Sequence, residues 1–574
     1  MNESALEDVY PLSPLQRGLL FHALYDEQGD VYTVQSYLDL AGPLDTGRMR
    51  EAVAALLRRH ANLRAGFWFE DLDEPVQFVP ADLDVPLEIV EDDPDAVLVR
   101  DWSAPFDVVA PPLIRFTLVP RGPDRHRLVI TAHHLLLDGW SMPVLVRELF
   151  GFYDGTPPPP TRPFRDYLLW LHSRDLDKAA EAWREALRDL PAPALLAPGV
   201  KGAAVLTELA VDLPAGLAGR LAATAGRVGV TANTVVQTVW GLVVGALTGA
   251  GDTALSDTVF GAVVSGRPAD LDGVEDMVGL FVNTVPVRVR TAAAETFGAL
   301  ARRVQDEQMR LLDHHHLGLA DIQRLAGAGT LFDTLLAFEN YQGDPSSLTA
   351  GGLTVTGLGA RDATHFPLGL TVQPGQDTLD LTLNHRPDLF DGPAAARIAT
   401  RLADLLTRFA DAPELPLPAL PPLGSPRPAT APVSTLVADY REPAEGAERL
   451  IAGLFAEALG LSEVGADDDF FALGGDSIVS ITLVGQARAA GLALTARQIF
   501  EHRTVAALAV VVTQTAPTAP TAPAAAADRP LVELTEAELA LLRPDAADIL
   551  PLSPLQAGLL FESSYDTSGR DLYL

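Results

Sequence analysis

The sequence predicts a multidomain chain, with a large mixed α/β block followed by a small all-helical unit. Three observations carry this. The 574 residues are too many for one core, since about 150 residues per domain is usual. Two proline-rich segments, "DAPELPLPALPPLGSPRPATAP" (Asp411 to Pro432) and "TQTAPTAPTAPAAAADRP" (Thr513 to Pro530), interrupt the apolar periodicity. Strand-like alternation and helical spacing both occur before the first segment, whereas helical spacing alone follows it.

The elements follow in order. "MREAVAALLRRHANLR" has helical apolar spacing, and "HRLVITAHH" alternates like a strand. "SMPVLVRELFGFY" then reads as a helix with Ser141 as its N-cap. His133 and His134 therefore fall at a strand end, and Asp138 to Trp140 form the turn into the helix. "RRVQDEQMRLLDHHH" continues a helical pattern into three histidines, read as a solvated or interlobe helix end rather than a metal site. The proline-rich segments read as extended and mobile, because proline blocks both helix and sheet hydrogen bonding. In the small unit, "AERLIAGLFAEALG" puts Leu450, Ile451, Leu454, Phe455 and Leu459 on one face.

Composition narrows the function. Hydrophobic residues at 48% and charged residues at 21% are ordinary for a soluble globular chain. A net charge of −34 argues against nucleic acid or an anionic membrane as a main partner, since both need clustered lysine and arginine. Cysteine is absent, which excludes disulfides, thiolate-ligated zinc and a thiol nucleophile, and fits a cytoplasmic location. The acidic start "MNESALEDVYPLSP" lacks the apolar segment of a secretory signal, and "ALAVVVT" is too short to span a bilayer.

A repeat spans almost the whole chain. "DVYPLSPLQRGLLFHALYD" at Asp8 and "DILPLSPLQAGLLFESSYD" at Asp548 align without gaps, with 13 of 19 positions identical. The same domain type is thus expected to begin twice, the chain being a piece of a longer modular one.

The densest chemistry is "TAHHLLLDGWS", Thr131 to Ser141. A buried polar turn, a metal site and a catalytic histidine all fit these residue types. Adjacent strand residues point to opposite faces, which disfavours one ion bound by both His133 and His134. The same alternation suits one histidine facing a reaction space and the other the core. In the small unit, "DDDFFALGGDSIVSITLV" puts Gly474 and Gly475 before Ser477, at the start of a helix. Ser477 there is either a helix cap or the holder of a phosphate at a positive helix end.

These segments resemble a known family. "HHLLLDGWS" is similar to the HHxxxDG motif of nonribosomal peptide synthetase condensation domains. "YPLSPLQRGLLFHALYD", "RRHANLRAGF", "SGRPADLDGVEDMVGLFVNTVPVRV", "LFDTLLAFENY" and "ATHFPLGLTV" resemble its other motifs, in family order. The resemblance implies a two-lobed, chloramphenicol-acetyltransferase-like fold, with a tunnel between lobes of about 1–175 and 176–425. It implies that His134 lies at the tunnel centre, where an acceptor amine attacks a donor thioester to form an amide. His134 would position the amine first and move its proton second. Asp138 is expected to pair with Arg267 and hold the loop, and Gly139 to leave the channel clear. His133 is expected to pack inward, Arg64 to brace the tunnel, and Trp140 to line the channel or fill core. No metal is expected.

The small unit resembles a peptidyl carrier protein, a four-helix domain in which "LGGDS" carries 4′-phosphopantetheine on its serine, here Ser477. The resemblance divides the chain into a condensation domain (1–425), a linker (426–441), a carrier (442–512), a second linker (513–540) and the start of a downstream condensation-type domain (541–574). The partners it implies are an upstream donor carrier on another polypeptide and a phosphopantetheinyl transferase. No adenylation domain lies between the two units, so it acts in trans or has been removed from this chain. Asp476 before the serine is common upstream of epimerization domains, in conflict with the condensation-like restart at Asp548. Three further activities are weighed: a catalytically silent carrier-docking block, ester formation, and epimerization. The intact histidines argue against the first, and "DGWSMPVLVREL" lacks the Val-Ser-Trp-Arg run usual in epimerization domains. "LLLDGWSMPVL" and "LAFENY" lean towards a donor with a D-configured terminal residue.

Overall fold

The computed structural model describes residues 6–25, 32–69, 75–198, 206–249, 256–339 except 293 and 328, 349–417 except 363 and 376, 441–459, 463–470 and scattered positions between 473 and 514. They fall into two compact units, residues 1–485 with 494–512, and residues 486–493 with 513–574.

The first lobe is built on a six-stranded sheet. Its strands are β2 (Thr33–Ala41), β5 (Leu87–Ile89), β6 (Ile114–Pro120), β7 (Arg125–His133), β12 (Thr349–Ala350) and β13 (Leu353–Arg361), in the order β12-β13-β2-β7-β6-β5. A three-stranded sheet of β1 (Leu6–Pro11), β3 (Gly66–Trp68) and β4 (Val76–Pro80) accompanies it. Alternation along β7 is not what the structure shows, because eight of its nine residues are buried. Both faces are covered, as in other doubly packed sheets. Leu128, Ile130 and Ala132 enter the main core beneath α2 (Thr46–Arg59) and α4 (Ser141–Asp154). Val129 packs on the other side with Val119 and with Val97 of α3 (Pro94–Ser103).

The expected helix in "MREAVAALLRRHANLR" is α2, capped by Asp45, whose carboxylate accepts from Arg48 N–H at 3.0 Å. It buries Met49, Ala52, Val53, Leu56 and Leu57, a helical stripe, and a 3-10 turn, Ala61–Arg64, follows. A buried ionic contact joins this end of α2 to α4. Glu148 lies 2.5 Å from His60 Nε2 and 2.9 Å from Arg59 Nε. Burial opposes the Glu148 carboxylate, but the contacts with His60 and Arg59 outweigh it and hold its pKa below the ordinary value. A depressed folded pKa contributes stability that is present above the unfolded value, roughly 4.3, and is lost as pH falls through the folded one. Urea titration of the full chain should thus show wild type losing stability more steeply than Glu148→Gln below about pH 4.3. Parallel curves would refute the contribution.

The second lobe holds another six-stranded sheet. β8 (Thr207–Ala210), β9 (Asp257–Val264), β10 (Asn283–Arg290), β11 (Thr334–Phe338), β14 (Leu368–Pro374) and β15 (Leu379–His385) run in the order β10-β9-β11-β14-β15-β8. One face packs on α7 (Leu217–Val228), α8 (Ala232–Thr248), α9 (Phe297–Leu311) and α11 (Gly392–Asp411). The helix α8 is buried from Thr234 to Leu247 and carries no charged residue, as a central core helix requires. No single helix among the described residues is long and apolar enough to cross a membrane; α7 and α8 pass such a test only as a pair bent by 98°. The other face meets α6 (Leu176–Ala186) and α10 (Leu319–Leu325) through Trp183, Ile322 and Phe332.

The lobes are not contiguous in sequence, contrary to a simple division near residue 175. β13, which follows β11 of the second sheet, crosses to the first and pairs antiparallel with β2, from Thr354 opposite Ala41 to Arg361 opposite Gln35. It satisfies the edge of β2 that would otherwise be open. In the same way the β9–β10 connection leaves the second sheet and buries Leu271, Met277, Leu280 and Phe281 in the first core.

The first proline-rich segment is not wholly extended and free. Gly298 N–H donates to Pro413 O at 2.7 Å, and Leu417 N–H donates to Glu295 O at 3.0 Å. The chain from 412 to 417 thus closes over the start of α9. Residues 418–440 lie outside the described residues.

In the small unit, α12 (Ala447–Leu459) and α13 (Val505–Val511) pack together, with Phe455 against Phe470 at 4.8 Å. Ile451, Leu454 and Phe455 are buried as expected, whereas Leu450 is exposed. β16 (Leu492–Ala493) and β17 (Thr513–Gln514) form a two-stranded ribbon in the second compact unit. Ser477 with its glycines, and the repeat at Asp548, lie outside the described residues.

Candidate functional site

His134 stands where β7 stops. Its N–H donates to Tyr32 O at 2.7 Å and that of His133 to Leu113 O at 2.9 Å, so the strand backbone is satisfied to its end. The two rings then diverge. His133 is fully buried; its Nδ1 accepts from Leu135 N–H at 3.0 Å, and Phe106 meets the ring edge-on at 6.5 Å. The His134 side chain is 21% exposed.

Leu135, Leu136 and Leu137 are buried in the first core and anchor the turn. Two further side chains hold it from outside. Gln16 Nε2 donates to Leu135 O at 2.8 Å, and Asn62 Nδ2 donates to Leu136 O at 3.2 Å. Gln16 is itself fixed by reciprocal capping at the start of α1 (Pro14–Tyr25). Ser13 N–H donates to Gln16 Oε1 at 2.9 Å, and Gln16 N–H donates to Ser13 Oγ at 3.3 Å.

The His134 ring is held at both nitrogens. Nδ1 lies 3.3 Å from Leu137 O. A carbonyl can only accept, so Nδ1 carries a proton. Nε2 lies 3.1 Å from Asp362 Oδ1. Burial works against the imidazolium, but the Asp362 carboxylate, Leu137 O and Asp138 outweigh it and raise the His134 pKa above its ordinary value.

Asp138 is the centre of a clamp made with the β9–β10 connection. Its Oδ1 accepts from Ser141 N–H at 2.9 Å and from Ser141 Oγ at 2.8 Å; its Oδ2 accepts from Phe281 N–H at 3.0 Å. Asp138 N–H donates to Gly279 O at 3.1 Å. Arg267 Nη2 is 3.5 Å from Asp138 Oδ1 and donates to Ser141 Oγ at 3.0 Å, while Nη1 donates to Met277 O at 3.1 Å and to Val274 O. The guanidinium also lies 3.8 Å from the Phe281 ring centre and 5.7 Å from that of Trp140. Burial pulls the Arg267 pKa down, and Asp138 opposes that shift.

Two glycines let this connection come so close. A Cβ on Gly266, at φ +61°, would fall 1.8 Å from Phe281 O. One on Gly279 would fall 2.2 Å from the Phe164 ring, at the start of α5 (Phe164–His172). Ser141 is not the N-cap. Trp140 holds that position without a capping side chain, and the Ser141 hydroxyl is spent on the clamp.

The remaining candidates separate. Gly139 and Trp140 are half-buried in the turn. Arg64 is buried, but its donors reach Leu57 O, Pro80 O, Ala81 O and the Glu7 carboxylate, so it braces β1, β4 and α2. The helix before the histidine triplet ends at Leu311, and a 3-10 turn, Leu312–His314, follows. Of the two readings of the triplet, interlobe rather than solvated holds: His315 stacks on Trp183 of the second lobe at 6.5 Å, and His316 meets Trp170, which packs on the first core, at 6.3 Å. Burial, with His314 and His316 beside it, pushes the His315 pKa down to about 4.

Comparison with known proteins bears directly on this arrangement. Residues 6–422 match the condensation domain family, and residues 449–511 match the phosphopantetheine attachment site family. The chain belongs to the condensation-domain family. Its condensation domain is 32% identical over 437 residues to a component of the linear gramicidin synthase of Brevibacillus parabrevis, covering 72% of this chain and 8% of that protein. Chondramide synthase cmdD of Chondromyces crocatus is 32% identical over 484 residues, covering 73% and 12%. The chain thus spans only a small part of these relatives' length. The first condensation domain of the calcium-dependent antibiotic synthetase, solved with a substrate analogue, shares the fold, with a TM-score of 0.59, 21% identity, and coverage of 71% of this chain and 98% of that one.

Two residues of this condensation domain's site escaped sequence reasoning. Gln16 sits inside the quoted opening motif, but nothing local marks it as a support of the histidine turn. Asp362 immediately precedes the quoted "ATHFPLGLTV". A carboxylate at a strand end is common, and only the crossing of β13 brings it to His134.

Proposed function

We propose that this condensation domain forms an amide bond between two carrier-bound groups, in nonribosomal peptide synthesis. The donor is an acyl or peptidyl thioester on an upstream carrier. The acceptor is an aminoacyl thioester on 4′-phosphopantetheine at Ser477. The arm supplies the thiol that this cysteine-free chain lacks. The acceptor nitrogen attacks the donor carbonyl. The C–N bond forms, the donor C–S bond breaks, and the donor thiolate leaves, with the proton lost from nitrogen balancing its charge.

The observation that carries this reading is the His134 imidazole, part-exposed at the end of a buried strand while its neighbour His133 is sealed in the core. An α-amine has a pKa of roughly 8, so little outright deprotonation is needed near neutrality. His134 therefore acts mainly by holding the amine in line, and secondarily by accepting its proton or steadying the oxyanion. Asp138 and Arg267 fix the turn that presents it. Gly139 and Trp140 border the approach, and His133 and Arg64 support the lobe.

A phosphopantetheinyl transferase, an adenylation domain acting in trans, a donor carrier on another polypeptide and a cytoplasmic location complete the reading. The test loads the full chain through a transferase, confirms the added mass on the peptide containing Ser477, and offers a donor thioester on a separate carrier. Intact mass spectrometry should show the donor acyl group added to the Ser477-bound acceptor. A loaded chain that transfers no acyl group from any donor would refute the proposal, as would an arm attached elsewhere.

A further inference from the structure

We propose that Asp362 is a positioning residue of the reaction, delivered by the crossing strand β13 to set the orientation and charge of His134. The inference rests on the amide-forming reading above. Its geometry is independent of that reading. Asp362 follows the last residue of β13, and β13 belongs to the first sheet only by crossing from the second lobe. Its Oδ1 lies 3.1 Å from Nε2, the one His134 nitrogen not turned to the loop backbone. The segment is tied down on both sides of this contact. Arg361 lies over the Trp102 ring at 4.1 Å, and His365 Nδ1 is 3.0 Å from Tyr32 OH. Tyr32 is also the residue whose carbonyl accepts the His134 N–H.

The charged and titratable groups around His134 come from every neighbouring element. Asp362 faces it from the end of β13. Asp138 lies in its own loop, and Arg267 faces Asp138 from the β9–β10 connection. Tyr32 and His365 pair at the start of β2, and His133 faces the opposite side of β7. Among these described groups, only Asp362 is in hydrogen-bond contact with the His134 ring. A carboxylate there favours the imidazolium, whose Nε2–H it accepts. In that state both ring N–H groups are engaged; when an entering substrate displaces Asp362, the freed Nε2–H can donate to a developing oxyanion, and if that proton leaves with the carboxylate, the bare Nε2 can accept one from the attacking amine. In keeping with this, the His134 pKa is raised, and Asp362 is the main favourable cause.

The experiment uses the full chain with its arm attached. The His134 ring is followed by NMR across pH in wild type, Asp362→Asn and Asp362→Glu, and single-turnover amide formation is measured in parallel. The Asp362 side chain is 65% exposed, so both variants should fold. In D362N the His134 midpoint should move to lower pH, and the acid limb of the rate should move with it. D362E should return both towards wild type. The chemical step in D362N should slow by about 10- to 100-fold through lost orientation, with acceptor KM little changed. Coincident His134 midpoints in wild type and D362N would overturn the proposal. So would a slowed D362N whose pH profile is unmoved, since that marks a merely structural role. The NMR midpoint is read without turnover, so its failure is distinguishable from failure of the amide-forming reading.

Discussion

Replacing His134 by alanine should slow amide formation by about 100-fold, towards the lower end of the range for a positioned acid–base group. The acceptor is an amine already partly neutral near pH 7, and a thioester is an activated acyl donor, so the imidazole is not asked for a large proton-transfer contribution. It is asked for orientation, and the structure supplies what orientation requires. Leu137 O fixes Nδ1, and the flanking leucines fix the turn. His134→Asn keeps a hydrogen-bonding group but cannot titrate near neutrality. It should recover part of the loss in rate and abolish the acid limb of the pH profile. The ring is part-exposed and its one backbone contact is the long 3.3 Å donation to Leu137 O, so the unfolding free energy should change by no more than about 0.5 kcal/mol, the low end for a hydrogen bond. Single-turnover quench with mass detection reads the rate, and urea titration reads the stability. Equal rates for wild type and H134A would remove the histidine from the chemistry and leave the site as a docking surface.

How much of this was legible beforehand depends on the range of the interaction concerned. The strand, the turn and the helix around His134 follow from local apolar spacing, and the opposed facing of His133 and His134 follows from the pleat of a strand. The burial of both β7 faces did not follow, because α3 covers one of them and its packing on β7 is a long-range event. The hydroxyl of Ser141 looked like a helix cap because capping is the local use of a serine before an apolar stripe. The β9–β10 connection, arriving from far along the chain, claims it instead. Leu450 shares the apolar spacing of Ile451 and Leu454, yet it falls on the exposed side of α12. Asp362 was illegible for the same reason as the rest. Nothing local marks the end of β13 as a neighbour of the histidine turn, since pairing with β2 is what brings it there.

The clamp at Asp138 should be the most costly place in the site to cut. Asp138→Ala is expected to lose about 3–5 kcal/mol, because it leaves the Arg267 guanidinium buried without its counter-charge. Both side chains are almost inaccessible, at 1% and 5%. The same change strips the Phe281 N–H of its acceptor, whereas the Ser141 hydroxyl keeps Gly279 O at 2.8 Å. Arg267→Met should cost less, about 1–3 kcal/mol. Asp138 would then still accept from Ser141 N–H, Ser141 Oγ and Phe281 N–H, so its charge stays solvated by donors. The ion pair that R267M removes is also a long one, at 3.5 Å. Removing both charges together should be less damaging than D138A alone, because the stranded guanidinium is gone. Urea unfolding of the three variants checks the order, in which D138A is the least stable and D138A with R267M lies above it. A D138A protein within about 1 kcal/mol of wild type would mean that the clamp carries no such weight. A double variant no better than D138A would mean that the lost backbone acceptor, rather than the uncompensated charge, dominates. The clamp joins the histidine turn to the connection from the second lobe, so D138A should also slow amide formation under conditions where it remains folded. In D138A that slowing should come with a lowered midpoint, whereas H134A slows the reaction at an unchanged one.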